Sequence, residues 1–216
     1  PDRPHQYDWW PNLGSEDGTQ TYSAPVVDLM QDLRRQGVIR FMGLGGTTAY
    51  EIVPIIKSGL FDVVLTAFNY SLLWREAEIA VLPAAKEMGM GVIIGSPLQQ
   101  GALARKYGEV VTGARWLSPP RQDQFQALYA FTDEVGMTLP ELALRFVISN
   151  RDISCVLMGA RSEREVALNV ASVERGPLPR PVLDRLDEIA AMVPFRPFEE
   201  PFSLPFGRPY RGPGVA

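Results

Sequence analysis

The hydrophobic residues of this chain follow two alternating patterns, short apolar runs and longer segments in which apolar positions recur every three or four residues. The short runs are typical of strands buried on both faces of a parallel sheet, and they lie at residues 38–44, 61–68, 91–94 and 153–158. The longer segments have the spacing of amphipathic helices, and they lie at residues 25–36, 74–88, 122–135, 139–149 and 181–192. Repeated strand–helix units predict an α/β protein with a parallel sheet.

The last strand–turn–helix unit, residues 153–173, has the features of a phosphate-binding site. Its strand ends at a turn formed by Gly159 and Ala160; Arg161 follows, and the sequence SERE from Ser162 is a capping box that opens a helix. The N–H groups and the dipole of a helix N-terminus can bind phosphate when a guanidinium lies beside them. The alternative for Arg161 is a solvated surface arginine.

One polar residue, Asn169, interrupts the apolar face of this helix. The face carries Val166, Val170 and Val173 at spacings of three and four. Asn169 is therefore a candidate for a hydrogen bond to a ligand above the strand ends. The alternative is a boundary residue whose amide bonds the backbone.

Small-residue turns follow two other predicted strands. GLGG at residues 43–46 lacks the third glycine and the acidic residue of a dinucleotide-binding fingerprint. It therefore predicts only a turn whose backbone another group can approach closely. The capping-box sequence TAYE from Thr48 then predicts a helix that runs to Lys57. SPLQQG at residues 96–101 places small residues and a hydroxyl at a strand's carboxyl end, which suits either backbone contact with a ligand or an ordinary loop.

The composition narrows the classes of function. The 216 residues carry a net charge of −4, with acidic and basic residues interspersed, which argues against a nucleic-acid partner. The apolar runs are too short to span a membrane. Cys155, the one cysteine, is expected to be a buried thiol, and a chain without a disulfide framework fits the cytoplasm. One cysteine and one histidine, His5, are too few for a zinc site, so no metal is expected.

The chain is expected to form one domain, residues 1–216, with irregular regions at both ends. Residues 1–22 predict a loop, and residues 194–216, rich in Phe and Pro, predict an extended tail. Such a tail can cover its own core or cross to another subunit, so homo-oligomer formation is left open. The first residues are typical of a loop inside a fold, so further residues are expected to precede them. Four strands fit either an open sheet or the second half of an eight-stranded barrel.

Three stretches of the chain resemble strands five to eight of the aldo-keto reductases. They are GVIRFMGLGG at residues 37–46, FDVVLTAFNYSLLWREAEIAVLPAAKEMGMGVIIGSPLQQGALA at residues 61–104, and MTLPELALRFVISNRDISCVLMGARSEREVALNV at residues 137–170. The resemblance implies a parallel (β/α) barrel of TIM type, of which this chain covers roughly the second half. Within the family, the turns are similar to those of dehydrogenases that act on aldoses such as fucose and galactose.

The same resemblance implies a nicotinamide cofactor, NADP with NAD as the alternative. The pattern GARSxxE followed by an asparagine implies that Arg161 and Ser162 contact the adenosine 2′-phosphate and that Asn169 contacts the adenine, with Gly159 in the turn. The pattern SPLxxG implies that the turn wraps the pyrophosphate with Ser96, Pro97, Leu98 and Gly101.

Several positions differ from the family pattern at the nicotinamide end of the implied site. Gly45 and Gly46 replace a Ser-Asn pair, Leu65 replaces a glutamine, and Gly95 replaces a tyrosine that stacks on nicotinamide. The resemblance therefore specifies the adenosine end of the cofactor more closely than its reactive end.

The function implied by the resemblance is an oxidoreductase that transfers a hydride between nicotinamide and a small carbonyl or sugar substrate. The family's catalytic Asp, Tyr, Lys and His correspond to positions before Pro1. No catalytic residue is therefore assigned to this chain, His5 included, and the chain alone is expected to be inactive. Two alternatives stay open: a non-catalytic reductase-like domain that binds nucleotide or acts as a scaffold, and an open-sheet phosphate-binding domain outside the family.

Overall fold

Four parallel strands form the centre of the fold. The computed structural model describes residues 25–196, 200 and 204–209, so the loop predicted for residues 1–22 and part of the tail predicted for residues 194–216 lie outside the described residues. The strands pair in the order β1-β2-β3-β4, and they are β1 Gly43–Gly46, β2 Val63–Ala67, β3 Gly91–Gly95 and β4 Cys155–Leu157. Every pair is parallel, which confirms the predicted parallel α/β sheet.

Helices precede and follow the strands, as the alternating pattern predicts. Among the described residues they are α1 Pro25–Arg35, α2 Val53–Ile56, α3 Glu76–Ile79, α4 Val81–Glu87, α5 Gly108–Thr112, α6 Pro119–Val135, α7 Leu139–Ser149, α8 Glu163–Glu174 and α9 Arg180–Ala191. Two predicted N-caps are confirmed, because Thr138 Oγ accepts from the N–H of Glu141 at 3.3 Å and Ser162 Oγ accepts from the N–H of Glu165 at 3.2 Å. Within the described ranges, none of the helices has the length and apolarity needed to cross a bilayer.

Prolines shorten one predicted helix and divide another. The prediction that a helix opens at Thr48 is wrong, because α2 begins only at Val53. Pro54 has no N–H with which to continue an earlier helical turn. The single helix predicted for residues 74–88 is also wrong, since α3 and α4 are separate. Pro83 again lacks the N–H that would bond back across the junction.

The strand predicted for residues 38–44 begins only at Gly43. The N–H groups of Val38 and Ile39 both donate to the carbonyl of Leu33, at 2.9 and 3.4 Å, and so complete the end of α1. Because these N–H groups are used by the helix end, the residues before Gly43 do not join the sheet.

The two faces of the sheet differ in how they are covered. The face that packs on the helices is buried and carries Leu44, Val64, Thr66, Val92 and Ile94. The opposite face carries Gly45, Leu65, Ile93 and Cys155 side by side in register. These four residues are all partly or fully exposed, so the described residues leave this inner face open.

The edge strand β4 is exposed, whereas the sequence predicts a buried strand and a buried thiol. Cys155 is exposed, and Leu157 is 49% exposed. Among the described residues, β4 pairs with β3 on one side only. Both predictions are therefore wrong, because a strand with one neighbour and an open face cannot be buried however apolar its residues are.

A buried ion pair joins the tail to α6. Glu200 accepts hydrogen bonds from Nε of Arg121 at 2.6 Å and from Nη2 at 3.1 Å, and the two side chains are 5% and 0% exposed. Arg121 also donates to Gln124 and lies over the ring of Trp74, 5.0 Å from its centroid. Two-point charge-assisted hydrogen bonds are strong and directional, so they give residue 200 a defined place on the fold.

Glu76, beside this ion pair, is expected to make stability fall as the pH rises. Burial raises the pKa of Glu76 above its ordinary value of 4.5, although Arg196 and Arg121 act in the opposite direction. The stabilising contribution of the protonated form is complete below pH 4.5 and is lost as the pH rises through the raised pKa. Glu76→Gln should therefore change the free energy of unfolding little at about pH 4 and raise it at about pH 7, as urea denaturation can measure. A lower stability of the variant at neutral pH would contradict this assignment.

Candidate functional site

A groove lies at the carboxyl ends of β2, β3 and β4, against the first turns of α8. Its volume is about 690 Å³. The strand ends, the turns after β3 and β4, and one face of α8 line it, with residues that include Leu65, Ala67, Gly95, Ser96, Gly159 and Asn169. Ligands of parallel α/β folds bind at this end of the strands, which makes the groove the candidate site.

The structure places the predicted site residues in two groups. Ser96, Gly159 and Asn169 come together in the lining of the groove. The other predicted residues are outside the lining but adjoin it in the chain, and they are Pro97, Leu98, Gly101, Arg161 and Ser162. The predicted residues thus converge on one end of the sheet from two separate turns.

Asn169 lines the groove, and its side chain has no hydrogen-bond partner in the part of the chain that the structure describes. The residue is half-buried. A half-buried amide is normally satisfied by the protein, by water or by a ligand. The amide of Asn169 is therefore available for a hydrogen bond to a molecule in the groove.

Arg161 lies at the start of α8 with its side chain 89% exposed. Its Nη2 is 3.3 Å from Oε1 of Glu165, and its backbone N–H donates to Oε2 of Glu165 at 2.7 Å. These contacts, the backbone hydrogen bond first, lower the pKa of Glu165 below its ordinary value. The backbone of Arg161 is thus held at the helix end while its guanidinium is accessible to a phosphate from solvent.

Four residues that are not glycine adopt left-handed backbone angles next to the groove. Phe68 has a φ of 67°, Ser96 of 57°, Gln99 of 48° and Gln100 of 53°, and all of them follow β2 or β3. Each such residue costs about 1–3 kcal/mol unless its surroundings hold it, and such strain is concentrated at functional sites. The sequence has no signal for this feature, because these are not the residue types that favour the conformation.

Two buried side-chain amides tie together the turns at this end of the sheet. Gln99 donates to the carbonyl of Phe68 at 3.1 Å and to Oγ of Ser71 at 2.9 Å. Asn69 donates to Oγ1 of Thr66 at 2.9 Å and to the carbonyl of Thr47 at 3.0 Å. Sequence reasoning missed both as site residues, although polar side chains just after apolar strands are the signal that could have found them.

The glycines differ in how much space their surroundings leave for a ligand. A Cβ built on Gly159 or Gly45 has no neighbour within 4 Å, so a ligand can approach the backbone there. A Cβ on Gly95 meets the Cβ of Ala67 at 3.2 Å and Cδ2 of Leu65 at 3.5 Å. The structure therefore leaves room for part of a ligand beside Gly159, while apolar side chains occupy the space beside Gly95. Within the described ranges, no cluster of acidic, Cys or His side chains is suited to a metal ion.

Comparison with known proteins identifies the relatives of this chain. The family model described as Aldo/keto reductase family matches residues 6–191. The L-galactose dehydrogenase of Arabidopsis thaliana is 31% identical over 68% of this chain and 46% of its own length. The NADH-specific methylglyoxal reductase of Escherichia coli is 30% identical over 69% of this chain and 48% of its own length. The chain thus spans about half the length of the curated relatives that it matches.

A solved structure supports the same fold. The aldo-keto reductase AKR11C1 from Bacillus halodurans in its holo form superposes with a TM-score of 0.63 and 23% sequence identity, over 85% of this chain and 60% of that chain. The four parallel strands therefore belong to a TIM-type barrel fold, as the sequence predicts, and a barrel of this type has eight strands.

Proposed function

Because the chain belongs to the Aldo/keto reductase family, we propose that it holds the cofactor of an NAD(P)-dependent oxidoreductase acting on a small carbonyl compound or a sugar. The observation that carries the proposal is the groove at the strand ends, where Ser96, Gly159 and Asn169 meet, with the Asn169 amide unpartnered among the described residues. The cofactor, when bound, supplies the hydride. The chain's own contribution is to bind and orient it.

The residues proposed to hold the cofactor are those on and around the groove. The turn of residues 96–101 would contact the two bridging phosphates, and the amide of Asn169 would contact the adenine. Ser162 and the exposed guanidinium of Arg161 would contact a 2′-phosphate, for which a helix N-terminus and an arginine are suited. We therefore propose NADP rather than NAD as the preferred cofactor.

The proposed substrate class follows from the family and from the relatives. One relative is named for L-galactose and another for methylglyoxal, which are a sugar and a small carbonyl compound. The catalytic acid is proposed to lie in further strand–helix units of the same barrel, outside the described residues. Within the described ranges, the open inner face and the edge strands β1 and β4 support this proposal, since a TIM-type barrel closes all its strand edges.

Cys155 provides a test of barrel closure that does not depend on activity. In the 216-residue chain at low concentration, the exposed thiol should react with an aromatic disulfide reagent about as fast as it does in the unfolded chain. In the full gene product that contains these residues, the other barrel strands should cover the inner face and slow the reaction by at least about tenfold. Equal rates in the two preparations would contradict the proposed closure.

The cofactor itself is tested by calorimetric titration of the full gene product with NADPH, NADH and ATP. Binding of a nicotinamide cofactor in preference to ATP is expected. Asn169→Ala should weaken that binding about five- to tenfold through loss of a hydrogen bond. Failure of both NADPH and NADH to bind would overturn the proposal.

A second candidate is a reductase-like domain that binds the cofactor without turning over a substrate. The apolar residues at the nicotinamide end, Leu65 and Ala67 around Gly95, favour it, because they offer no side-chain hydrogen bond to a carboxamide. The absorbance of the reduced nicotinamide separates the two candidates when it is followed with NADPH and methylglyoxal and, in the other direction, with the oxidised cofactor and several aldoses. Oxidation or reduction of the cofactor supports the enzyme, and tight cofactor binding without turnover in either direction supports the second candidate.

A further inference from the structure

One aromatic side chain of the tail, Phe206, is enclosed by three rings of the preceding fold. Phe206 is 4% exposed. It stacks on Tyr107 with 4.8 Å between ring centroids, and it meets Trp116 at 4.8 Å and Phe125 at 5.0 Å edge-on. Offset-stacked and edge-to-face pairs at these distances are favourable geometries. The tail, though it lacks regular secondary structure here, is therefore anchored at this residue.

Tyr107 connects this aromatic cluster to the turn of residues 96–101. Its hydroxyl donates to the carbonyl of Gly101 at 2.8 Å. Its backbone N–H donates to the hydroxyl of Tyr129 at 3.1 Å, and Phe206 covers its ring. Tyr107 is thus held by two groups, the hydroxyl of Tyr129 and the ring of Phe206, and its third contact is the hydrogen bond to Gly101.

The turn of residues 96–101, which Tyr107 contacts, has a strained backbone that neighbouring groups must hold in place. Ser96, Gln99 and Gln100 have left-handed backbone angles, and Gly101 has a φ of 102°. Strained residues keep their conformation only where neighbouring groups hold them. The N–H groups of residues 101–104, at the end of the turn and just after it, donate to the carbonyls of Leu98, Gln99 and Gly101, so their exchange with solvent reports whether the turn is intact.

A second contact holds the same part of the tail in place. The N–H of Gly207 donates to Oε1 of Glu109 at 2.8 Å, and this hydrogen bond lowers the pKa of Glu109. Tyr107 and the start of α5 are therefore joined to the tail by the stacked rings and by the hydrogen bond between Glu109 and Gly207.

We infer that Phe206 and Tyr107 are positioning residues, through which the tail holds the 96–101 turn in the conformation that binds the cofactor's phosphates. The inference rests on the proposed function, because it assigns the turn to the cofactor. Neither residue lines the groove. Replacing either residue should weaken the binding of NADPH and of NADH equally, since the bridging phosphates are common to both cofactors.

The test uses Tyr107→Phe, Phe206→Ala and the control Phe195→Ala in the full gene product. Tyr107→Phe keeps the ring and removes only the hydroxyl that donates to Gly101. Phe195 is an aromatic residue of the same tail that is 66% exposed. Three quantities are measured on the same samples: hydrogen exchange of the amides of residues 101–104, the Kd of NADPH and of NADH, and the midpoint of thermal unfolding.

We expect exchange to become about five- to tenfold faster in Tyr107→Phe, with the Kd of both cofactors rising by a similar factor and the unfolding midpoint nearly unchanged. In Phe206→Ala, the exchange rate and the Kd of both cofactors should rise further. Phe195→Ala should change neither quantity. A lower midpoint with unchanged exchange and Kd would show a merely structural role and overturn the inference. Faster exchange with unchanged Kd would also overturn it and leave the proposed function standing. If the unsubstituted protein binds neither cofactor, the proposed function fails first, and the inference fails with it.

Discussion

Replacing Glu200 with alanine is expected to lower the free energy of unfolding by about 3–5 kcal/mol. The substitution leaves the guanidinium of Arg121, which is 0% exposed, without the carboxylate that accepts from its Nε and Nη2. A buried charge that has lost its partner costs more than the intact pair contributes. Urea denaturation of the full gene product measures the difference.

Asp184→Ala is the matched control, because it removes one carboxylate from a surface ion pair. The side chains of Arg180 and Asp184 are 79% and 51% exposed, so the expected loss is below about 1 kcal/mol. Replacing both buried partners together, Arg121→Met with Glu200→Leu, should recover much of the stability because no charge is left buried. Equal small losses in Glu200→Ala and Asp184→Ala would show that the ion pair does not anchor the tail.

Replacing Arg161 with alanine is expected to weaken NADPH binding about ten- to a hundredfold, because a hydrogen bond to a charged group contributes about 1.5–3 kcal/mol. NADH binding should be nearly unchanged, since NADH lacks the 2′-phosphate. The side chain is 89% exposed, and its partner Glu165 lies on the same helix. The substitution should therefore leave the fold intact. Calorimetric titration of the variant with both cofactors measures the two affinities.

Arg164→Ala provides the control for the change in charge. Arg164 lies in the first turn of the same helix and is exposed, so its removal alters the net charge near the groove equally. It should weaken NADPH binding much less than Arg161→Ala does. Equal losses of NADPH and NADH affinity in Arg161→Ala, or equal losses in the two arginine variants, would contradict a contact with the 2′-phosphate.

The features that the sequence predicts well are those that short stretches of chain determine. The caps at Thr138 and Ser162 depend on residues three positions away, and both are present. Ser96, Gly159 and Asn169 meet in one groove, because the carboxyl ends of parallel strands lie at the same edge of a sheet. The parallel order of the strands follows from strand–helix alternation for the same reason.

The features that the sequence does not predict depend on distant or unusual contacts. Arg121 and Glu200 are 79 residues apart, and no periodic pattern links a helix position to an irregular tail. The exposure of Cys155 depends on which strands cover the inner face, not on its apolar neighbours. The left-handed angles of Gln99 and Gln100 arise from the hydrogen bonds around the turn, and the residue types themselves do not favour them.

The most direct test of the central claim is a crystal structure of the full gene product grown with NADPH. We expect the adenosine half of the cofactor to lie in the groove at the ends of β2–β4, with the amide of Asn169 on the base and the guanidinium of Arg161 on the 2′-phosphate. A cofactor bound at another part of the fold, with Asn169 and Arg161 both turned to solvent, would contradict it.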